Sequence, residues 1–326
     1  MPATKTLPVF TPSQRDTAHC LLAAKVARMM GRKLEEADWA DAYCRAKGIP
    51  TRGWSNLNID VMHEGLGVEH KMLCYRSNAN IAQACGETLM HPAATRSIRV
   101  PIGKVSAERA MRDILRQYAE LIGQRTEKVR EQAPAGTKPD MRTGWLLWQE
   151  SLRQFLYFEQ SMRAPNVDRY TAEWVESGGG SRKGSRNLWI YEKATGKKRF
   201  SVTTSAGAKI QPYFDVPPPN DPNLYIFTVI GEVIMDGKVR CWLTRTTWHD
   251  LEQVLGRINT QTVSQAIQQH LAELPAAKAA PVVLEEPAQP LEIAAEAYAL
   301  LTSRLPGVND DHCFQLLIRL LRQRRS

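Results

Sequence analysis

Residues 57–74 have the sequence LNIDVMHEGLGVEHKMLC, in which two short apolar runs flank the pair Glu64-Gly65. Runs of this length on either side of a two-residue turn predict a β-hairpin. If Glu64-Gly65 forms the turn, His63 pairs with Leu66, and the residue numbers of every later cross-strand pair follow from that first pair. The segment therefore predicts not only two strands but also their register.

This register brings three charged side chains together. It places Asp60 directly opposite Glu69, and Lys71 projects from the same face because it lies two residues further along the strand. Two carboxylates at this spacing repel unless a cation separates them, and Mg²⁺ prefers oxygen ligands. We therefore expect Asp60 and Glu69 to bind Mg²⁺ with the backbone carbonyl of His70, and Lys71 to assist an attacking water.

The pattern Asp60, then Glu69-His70-Lys71, resembles the PD-(D/E)XK nuclease superfamily, the fold of many type II restriction endonucleases. Many members carry a further acid on the preceding helix, and the resemblance gives Glu36, or alternatively Glu35, that role. The chain departs from the family's motif at Ile59, where the motif has proline. The resemblance covers about residues 13–100 and implies a mixed sheet flanked by helices, with metal-dependent cleavage of DNA.

Composition agrees with a nucleic-acid partner. The 326 residues include 43 Lys and Arg against 34 Asp and Glu, for a net charge of +9, and such a surplus favours polyanions. The six cysteines form no Cys-x-x-Cys pair, which predicts reduced thiols in the cytoplasm. The chain shows no membrane-spanning run, no nucleotide fingerprint and no Ser/His/Asp signature.

The predicted fold class is α/β, with a mixed β-sheet flanked by helices in a restriction-endonuclease-like core. This core is expected over residues 1–175, and an additional β-rich section over 176–274 either extends it or forms a part that contacts DNA. Pro and Ala predict a linker at 275–292, followed by a small helical C-terminal tail at 293–326.

Hydrophobic periodicity predicts the remaining elements. We expect one or two helices over 13–47, a helix over 106–130 and a buried helix ending near 162 in the run GWLLWQESLRQFLYFEQSM. Strands are expected from about 185 to 247, with helices after them. His91 and His249 are interpreted as structural or surface residues rather than ligands.

Basic and amide side chains in three regions are candidate DNA contacts. They follow the catalytic hairpin, lie in a Gly/Ser-rich loop, and surround a predicted hairpin tip. We expect the loop residues to contact phosphates and the strand residues to contact base edges. The candidates are Arg96, Arg99, Arg182, Lys183, Arg186, Lys197, Lys198, Arg199, Lys209 and Gln211.

Together these features predict a Mg²⁺-dependent type II restriction endonuclease that cuts double-stranded DNA at a specific site. Cutting both strands suggests a homodimer, because one active site hydrolyses one strand. Two alternatives remain open. The chain is either another nuclease built on the same core, for repair, transposition or phage defence, or a DNA-binding protein without catalysis.

Overall fold

The chain forms a mixed α/β structure with three sheets. The computed structural model describes residues 5–29, 33–50, 59–75, 80–92, 98–101, 105–177, 185–204, 209–271, 288–304 and 309–325. Within these ranges the strands are β1 (Thr6–Leu7), β2 (Val61–His63), β3 (Leu66–Tyr75), β4 (Thr88–Met90), β5 (Asp140–Gln149), β6 (Gln154–Ser161), β7 (Tyr170–Ser177), β8 (Ser185–Glu192), β9 (Lys198–Thr203), β10 (Lys209–Asp215), β11 (Tyr225–Thr228), β12 (Glu232–Ile234), β13 (Lys238–Leu243) and β14 (Gln289–Ala294). The helices are α1 (Pro12–Ala27), α2 (Glu36–Lys47), α3 (Ala107–Glu131), α4 (Arg245–Leu255), α5 (Thr260–Leu271), α6 (Ala295–Arg304) and α7 (Asp310–Arg325).

The first sheet has the strand order β1-β6-β5-β3-β2, and β11 also pairs with β6. β3 and β5 run parallel over ten residue pairs, whereas β5 and β6 are antiparallel. A parallel pair needs a long crossover, and α3 lies in the segment that supplies it. The mixed sheet is thereby confirmed.

The predicted hairpin is present with its predicted register. Val61 pairs with Val68, Met62 with Gly67 and His63 with Leu66. Glu64 and Gly65 have φ of 46° and 86°, as a primed two-residue turn requires. Gly65 adopts this conformation without strain, which explains why the turn forms at this position.

The predicted helix ending near 162 is wrong. The run GWLLWQESLRQFLYFEQSM forms the end of β5, a turn, and β6. Both faces of these strands are covered, so apolar residues follow one another without alternation. Leu146 packs with one core and Leu147 with another, on opposite faces of the sheet. The turn contains Leu152 with φ of 56°, and no Gly, Asn or Pro marks it.

Two helices occupy the range 13–47, within the prediction. Thr11 caps α1, since its hydroxyl accepts the Gln14 N–H and the Gln14 side chain accepts the Thr11 N–H. α2 ends at Gly48, which has φ of 69°. Both helices pack on one face of the first sheet around Trp39, which is fully buried. The predicted helix over 106–130 is confirmed as α3.

The β-rich section contributes to more than one sheet. The second sheet has the order β4-β10-β9-β8-β7, so one strand comes from residues 88–90. Conversely, β11 at 225–228 extends the first sheet. The predicted helices after the strands are present as α4 and α5.

The C-terminal segment packs into a core of its own. The third sheet is β12-β13-β14, and β14 begins at residue 289, inside the range that predicts a linker. β14 pairs with β13 over six residues, and both helices of the predicted tail pack with α4 and α5. Residues 272–287 lie outside the described residues. No helix in the described part of the chain is long and apolar enough to cross a membrane.

Candidate functional site

The site begins beside Val61, the first residue of β2, beyond which β3 has no partner strand on this side among the described residues. The regular ladder stops at Val61, after which the Asp60 N–H donates to the Val68 carbonyl oxygen at 3.0 Å. The half-buried Asp60 carboxylate then accepts the backbone N–H of His70 at 2.6 Å. The N–H and C=O of a strand residue point to the same side, so the His70 carbonyl also points to this open edge.

Glu36 joins this edge from α2, of which it is the first residue. The start of α2 is fixed by Asp38, whose carboxylate accepts the Glu35 N–H at 3.0 Å. Burial raises the pKa of Glu36, and the positive charge of Lys71 opposes that rise while the negative charge of Glu69 adds to it. The structure thus brings Glu36 to the residues that the resemblance predicts.

Asp60 carries the strongest pKa shift among these acids. Burial raises the pKa of Asp60 to about 6, against the hydrogen bond from the His70 N–H. The charges of Glu36 and Glu69 raise the pKa of Asp60 further, whereas Lys71 lowers it. The ionised form of Asp60 is therefore poorly compensated in this environment.

Glu69, in contrast, is fully compensated. Its side chain is 5% exposed and receives the Lys71 ammonium at 2.6 Å. The guanidinium of Arg125, 1% exposed, donates to both carboxylate oxygens, at 2.7 and 3.0 Å. A bidentate contact of this kind fixes the direction as well as the charge of the carboxylate. Glu69 is thus a rigid, neutralised acid beside a poorly neutralised one.

The packing of α3 explains why Arg125 reaches Glu69. Gly67 has no side chain, and a Cβ there would come within 2.3 Å of the Val129 methyl group, so α3 lies directly on β3. From Val129 back to Arg125 is about one helical turn, or roughly 6 Å. From Gly67 to Glu69 is two strand residues, roughly 6.6 Å. The two spacings match, which places the guanidinium over the carboxylate.

Arg125 and Tyr118 are site residues that the sequence analysis missed. Burial raises the pKa of Tyr118 to about 12, Glu69 adds to the rise and Arg125 opposes it, so the phenol lies in the field of this pair. The available signal was the position of Arg125 on the apolar stripe of α3, between Ile122 and Val129, which are both buried. A cation on a buried stripe indicates a buried acid partner.

The imidazole of His70 lies away from the site, on the other face of β3. It is fully buried among Trp39, Tyr43 and Tyr157, and stacks on Tyr157 with 5.9 Å between ring centroids. Burial, with help from Lys71, lowers the pKa of His70 to about 3. A metal role for His70 therefore concerns its backbone carbonyl and not its ring.

The oxygen atoms at the β3 edge are of the type that a hard cation prefers, but their arrangement fits a metal ion less well. Carboxylate and carbonyl oxygens meet at the β3 edge, and burial leaves the ionised form of Asp60 poorly stabilised, which a divalent cation would offset. However, within the described ranges no three His, Cys, Asp or Glu side chains are placed so that they hold a metal ion. Arg125 and Lys71 already satisfy Glu69, so the fit is partial and rests on the Asp60 side.

The predicted hairpin tip is present between β8 and β9, but its cations have partners. Arg199 pairs with Glu192 at 3.2 Å and with Asp215 at 2.9 Å. Lys197 lies 3.3 Å from Asp215. Lys198 lies over the Trp189 ring with its ammonium 3.2 Å from the centroid. These contacts hold the Arg199 guanidinium within the sheet rather than leaving its donors for base edges.

The other predicted DNA contacts are dispersed. The Arg99 side chain is exposed, and its backbone pairs with Gln117. Arg186 stacks on the Trp174 ring at 4.1 Å. Gln211 donates to the Pro92 carbonyl at 3.3 Å, and Lys209 begins β10. Arg96, Arg182 and Lys183 lie outside the described residues.

Comparison with protein-family models, curated proteins and solved structures finds no match for this chain. The interpretation of the site therefore depends on its own residues. Those residues are an edge cluster of Glu36, Asp60, Glu69 and Lys71, with Arg125 locked onto Glu69.

Proposed function

We propose that this protein is a Mg²⁺-dependent endodeoxyribonuclease of the PD-(D/E)XK type, acting on double-stranded DNA at a specific site. The observation that carries the proposal is the convergence of Glu36, Asp60, Glu69 and Lys71 at one open strand edge. Three acids and a lysine arriving from a helix and both strands of a hairpin match the pattern that the resemblance implies. The net charge of +9 supports a DNA substrate.

Each residue has a distinct proposed role. Asp60, Glu69 and the His70 carbonyl would hold Mg²⁺, which supplies positive charge at the scissile phosphate and an activated water. Lys71 is within hydrogen-bonding distance of Glu69, and its ammonium is partly exposed, so it orients the attacking water or a phosphate oxygen. Glu36 adds a carboxylate at the solvent side, and Arg125 keeps Glu69 in one orientation.

The finer proposal is a type II restriction endonuclease that works in the cytoplasm as a homodimer. One hydrolytic centre cuts one strand, so a two-fold dimer is the simplest way to cut both. The six cysteines support a reducing compartment, because none of them forms a disulfide.

One observation favours a second candidate, a DNA-binding protein without catalysis. Arg125 and Lys71 already neutralise Glu69, and the described residues contain no arrangement of acids that fits a metal ion. In that protein the cluster would be a structural ion network that joins α3 to β3.

A cleavage assay separates the candidates. Purified protein is incubated with supercoiled plasmid and phage DNA in Mg²⁺, and then in EDTA. A restriction enzyme gives discrete fragments in Mg²⁺ alone. Another nuclease of this type gives Mg²⁺-dependent nicks or a smear.

Three isosteric or near-isosteric variants test the site itself: Asp60→Asn, Glu69→Gln and Lys71→Met. Each should lower the cleavage rate by on the order of a hundredfold or more while DNA binding persists, since each removes charge that acts in the transition state. Glu252→Gln, an exposed acid on α4, is the matched control and should cut at the wild-type rate. Wild-type protein that binds DNA but never cuts it, in Mg²⁺ or Mn²⁺, would establish the second candidate instead.

A further inference from the structure

The second sheet presents two unlike faces. Leu188 and Ile190 are fully buried against α3, together with Val202 on the next strand. Side chains alternate along a strand, so Trp189 and Tyr191 project from the opposite face. Within the described residues, α3 is the only helix that packs extensively on this sheet, and it covers the Leu188 side. On the opposite face, no helix of the described residues packs extensively.

We define the aromatic face as Trp189, Tyr191, Lys198 and Tyr213, which are all half-buried. Lys198 lies between two of the rings, with its ammonium 3.2 Å from the Trp189 centroid and 5.6 Å from the Tyr213 centroid. Trp189 and Tyr213 are on β8 and β10, with β9 between them, and both rings lie close to the Lys198 ammonium.

Charge on this face is weakly positive. Lys198 and Lys209 lie on its strands, and Lys209 pairs with Thr203 on the same side as Trp189. The exposed acid on this face is Glu173, which accepts the Tyr191 hydroxyl at 2.7 Å. Two half-exposed rings with a lysine between them form a surface whose rings can stack on flat ligands while the cation attracts phosphate.

We propose that the aromatic face binds single-stranded DNA by stacking unpaired bases on Trp189 and Tyr213, with the Lys198 ammonium leaving the Trp189 ring to contact the backbone phosphate between them. A base in a duplex is already stacked on both sides and offers no free face, so the rings select unpaired bases. This binding stands on the second sheet alone and does not require the nuclease activity proposed for the first.

The test measures binding in EDTA, so that cleavage plays no part. Fluorescence anisotropy follows a labelled fifteen-residue oligothymidylate, an abasic strand with the same phosphates, and a duplex of equal length. Wild-type protein should bind the oligothymidylate about tenfold more tightly than the abasic strand, because stacking on aromatic side chains favours strands with bases. Equal affinity for the abasic strand would overturn the proposal, whereas affinity for the duplex reports on the site proposed at the first sheet.

Variants then assign the effect to the face. Trp189→Ala and Tyr213→Ala should each weaken oligothymidylate binding about tenfold with little change for the abasic strand, whereas Trp189→Phe and Tyr213→Phe should keep most of the affinity. Lys198→Ala tests the cation of the aromatic face. Its matched charge control is Lys193→Ala, because Lys193 lies in the same hairpin but its ammonium donates to the Asp168 carbonyl. Thermal unfolding checks that each variant is folded. If the Ala variants bind like the wild type, the aromatic face is not the site. If they fail to fold, the wild-type comparison of oligothymidylate with the abasic strand, together with the Phe variants, still decides the question.

Discussion

Burial raises the pKa of the half-buried Asp60 and of the buried Asp310 to about 6, yet their surroundings differ in kind. Asp310 accepts the Gly231 N–H at 2.9 Å and the Tyr298 hydroxyl at 3.0 Å, and it also lies 3.4 Å from the Trp242 nitrogen. These partners are neutral, and Asp310 also begins α7, where a negative charge is favourable.

Among the described residues, the Asp60 carboxylate accepts one hydrogen bond, from the His70 N–H, and it has two acidic neighbours. The charges of Glu36 and Glu69 both raise its pKa, and Lys71 offsets them only in part. At Asp310, burial raises the pKa, while its three hydrogen bonds and the charge of Arg153 lower it. A carboxyl with a structural role is surrounded by hydrogen-bond donors. Acids that lie close together at an open strand edge instead repel one another and do not stabilise the fold.

The largest expected effect is the loss of stability when the ion pair between Arg125 and Glu69 is removed. Arg125→Met should lower the free energy of unfolding by about 3–5 kcal/mol, because it leaves Glu69 buried and poorly paired. The double variant Arg125→Met with Glu69→Gln should recover most of that loss, since no buried charge then lacks a partner. Urea unfolding measures both.

Arg130→Met is the control on the same helix. Its partner Glu127 is more than half exposed, so the loss should stay below about 0.5 kcal/mol. If Arg130→Met and Arg125→Met destabilise the protein equally, the Glu69 pair does not have the strength assigned to it here.

The second prediction concerns Asp310. Asp310→Ala should lower the free energy of unfolding by about 2–3 kcal/mol, because it leaves the Gly231 and Trp242 N–H groups buried without an acceptor. Tyr298→Phe removes one of the same bonds and should cost about 1 kcal/mol. Neither change should alter DNA cleavage, and a cleavage defect at equal folded fraction would show that this cluster also has a functional role.

The hairpin could be predicted from sequence because local chemistry determines it. The turn at Glu64-Gly65 sets the first pair, and the spacing of two sets the others. The departure at Asp60 could not be predicted in the same way. There the carboxylate, rather than a backbone carbonyl, takes the His70 N–H, and this depends on where β2 ends.

Long-range contacts account for the other failures. The β5–β6 pair was taken for a helix because strands buried on both faces lack the period of two. Arg125 was overlooked because its partner lies 56 residues away in sequence, and only the close approach at Gly67 brings the two together. The three-residue motif identified the acids, but it did not reveal how firmly one of them is held.

A smaller effect uses the pH dependence of stability. In the folded state the pKa of Asp60 lies at about 6, above its ordinary value of 3.8, so folding favours the protonated form. The resulting stabilisation is fully present below about pH 3.8 and is lost as pH rises through about 6. The Asp60→Asn variant has no titrating carboxyl at this position, so it does not lose this stabilisation as the pH rises. Relative to Asp60→Asn in EDTA, wild-type protein should therefore lose about 1–3 kcal/mol between pH 4 and 7.

Urea unfolding at several pH values measures this difference, and Asp310→Asn provides the parallel case. Its pKa is also raised to about 6, so the wild type should lose stability relative to Asp310→Asn over the same range. A pH-independent difference for Asp60→Asn alone would mean that burial does not raise the pKa of Asp60 in the folded protein.

The last prediction concerns stabilisation by Mg²⁺, which distinguishes Asp60 from Asp310 most clearly. A Mg²⁺ concentration ten times the dissociation constant should stabilise the wild type by about 1.4 kcal/mol, because only the folded chain assembles the edge cluster. For a chain of this size that corresponds to a rise in Tm of about 2 °C. Asp60→Asn should lose the response, since it removes the carboxylate whose charge is least compensated, while Asp310→Asn should keep it. Equal responses of both variants would place any bound cation away from the β3 edge, and the acids there would then be an ion network of the fold.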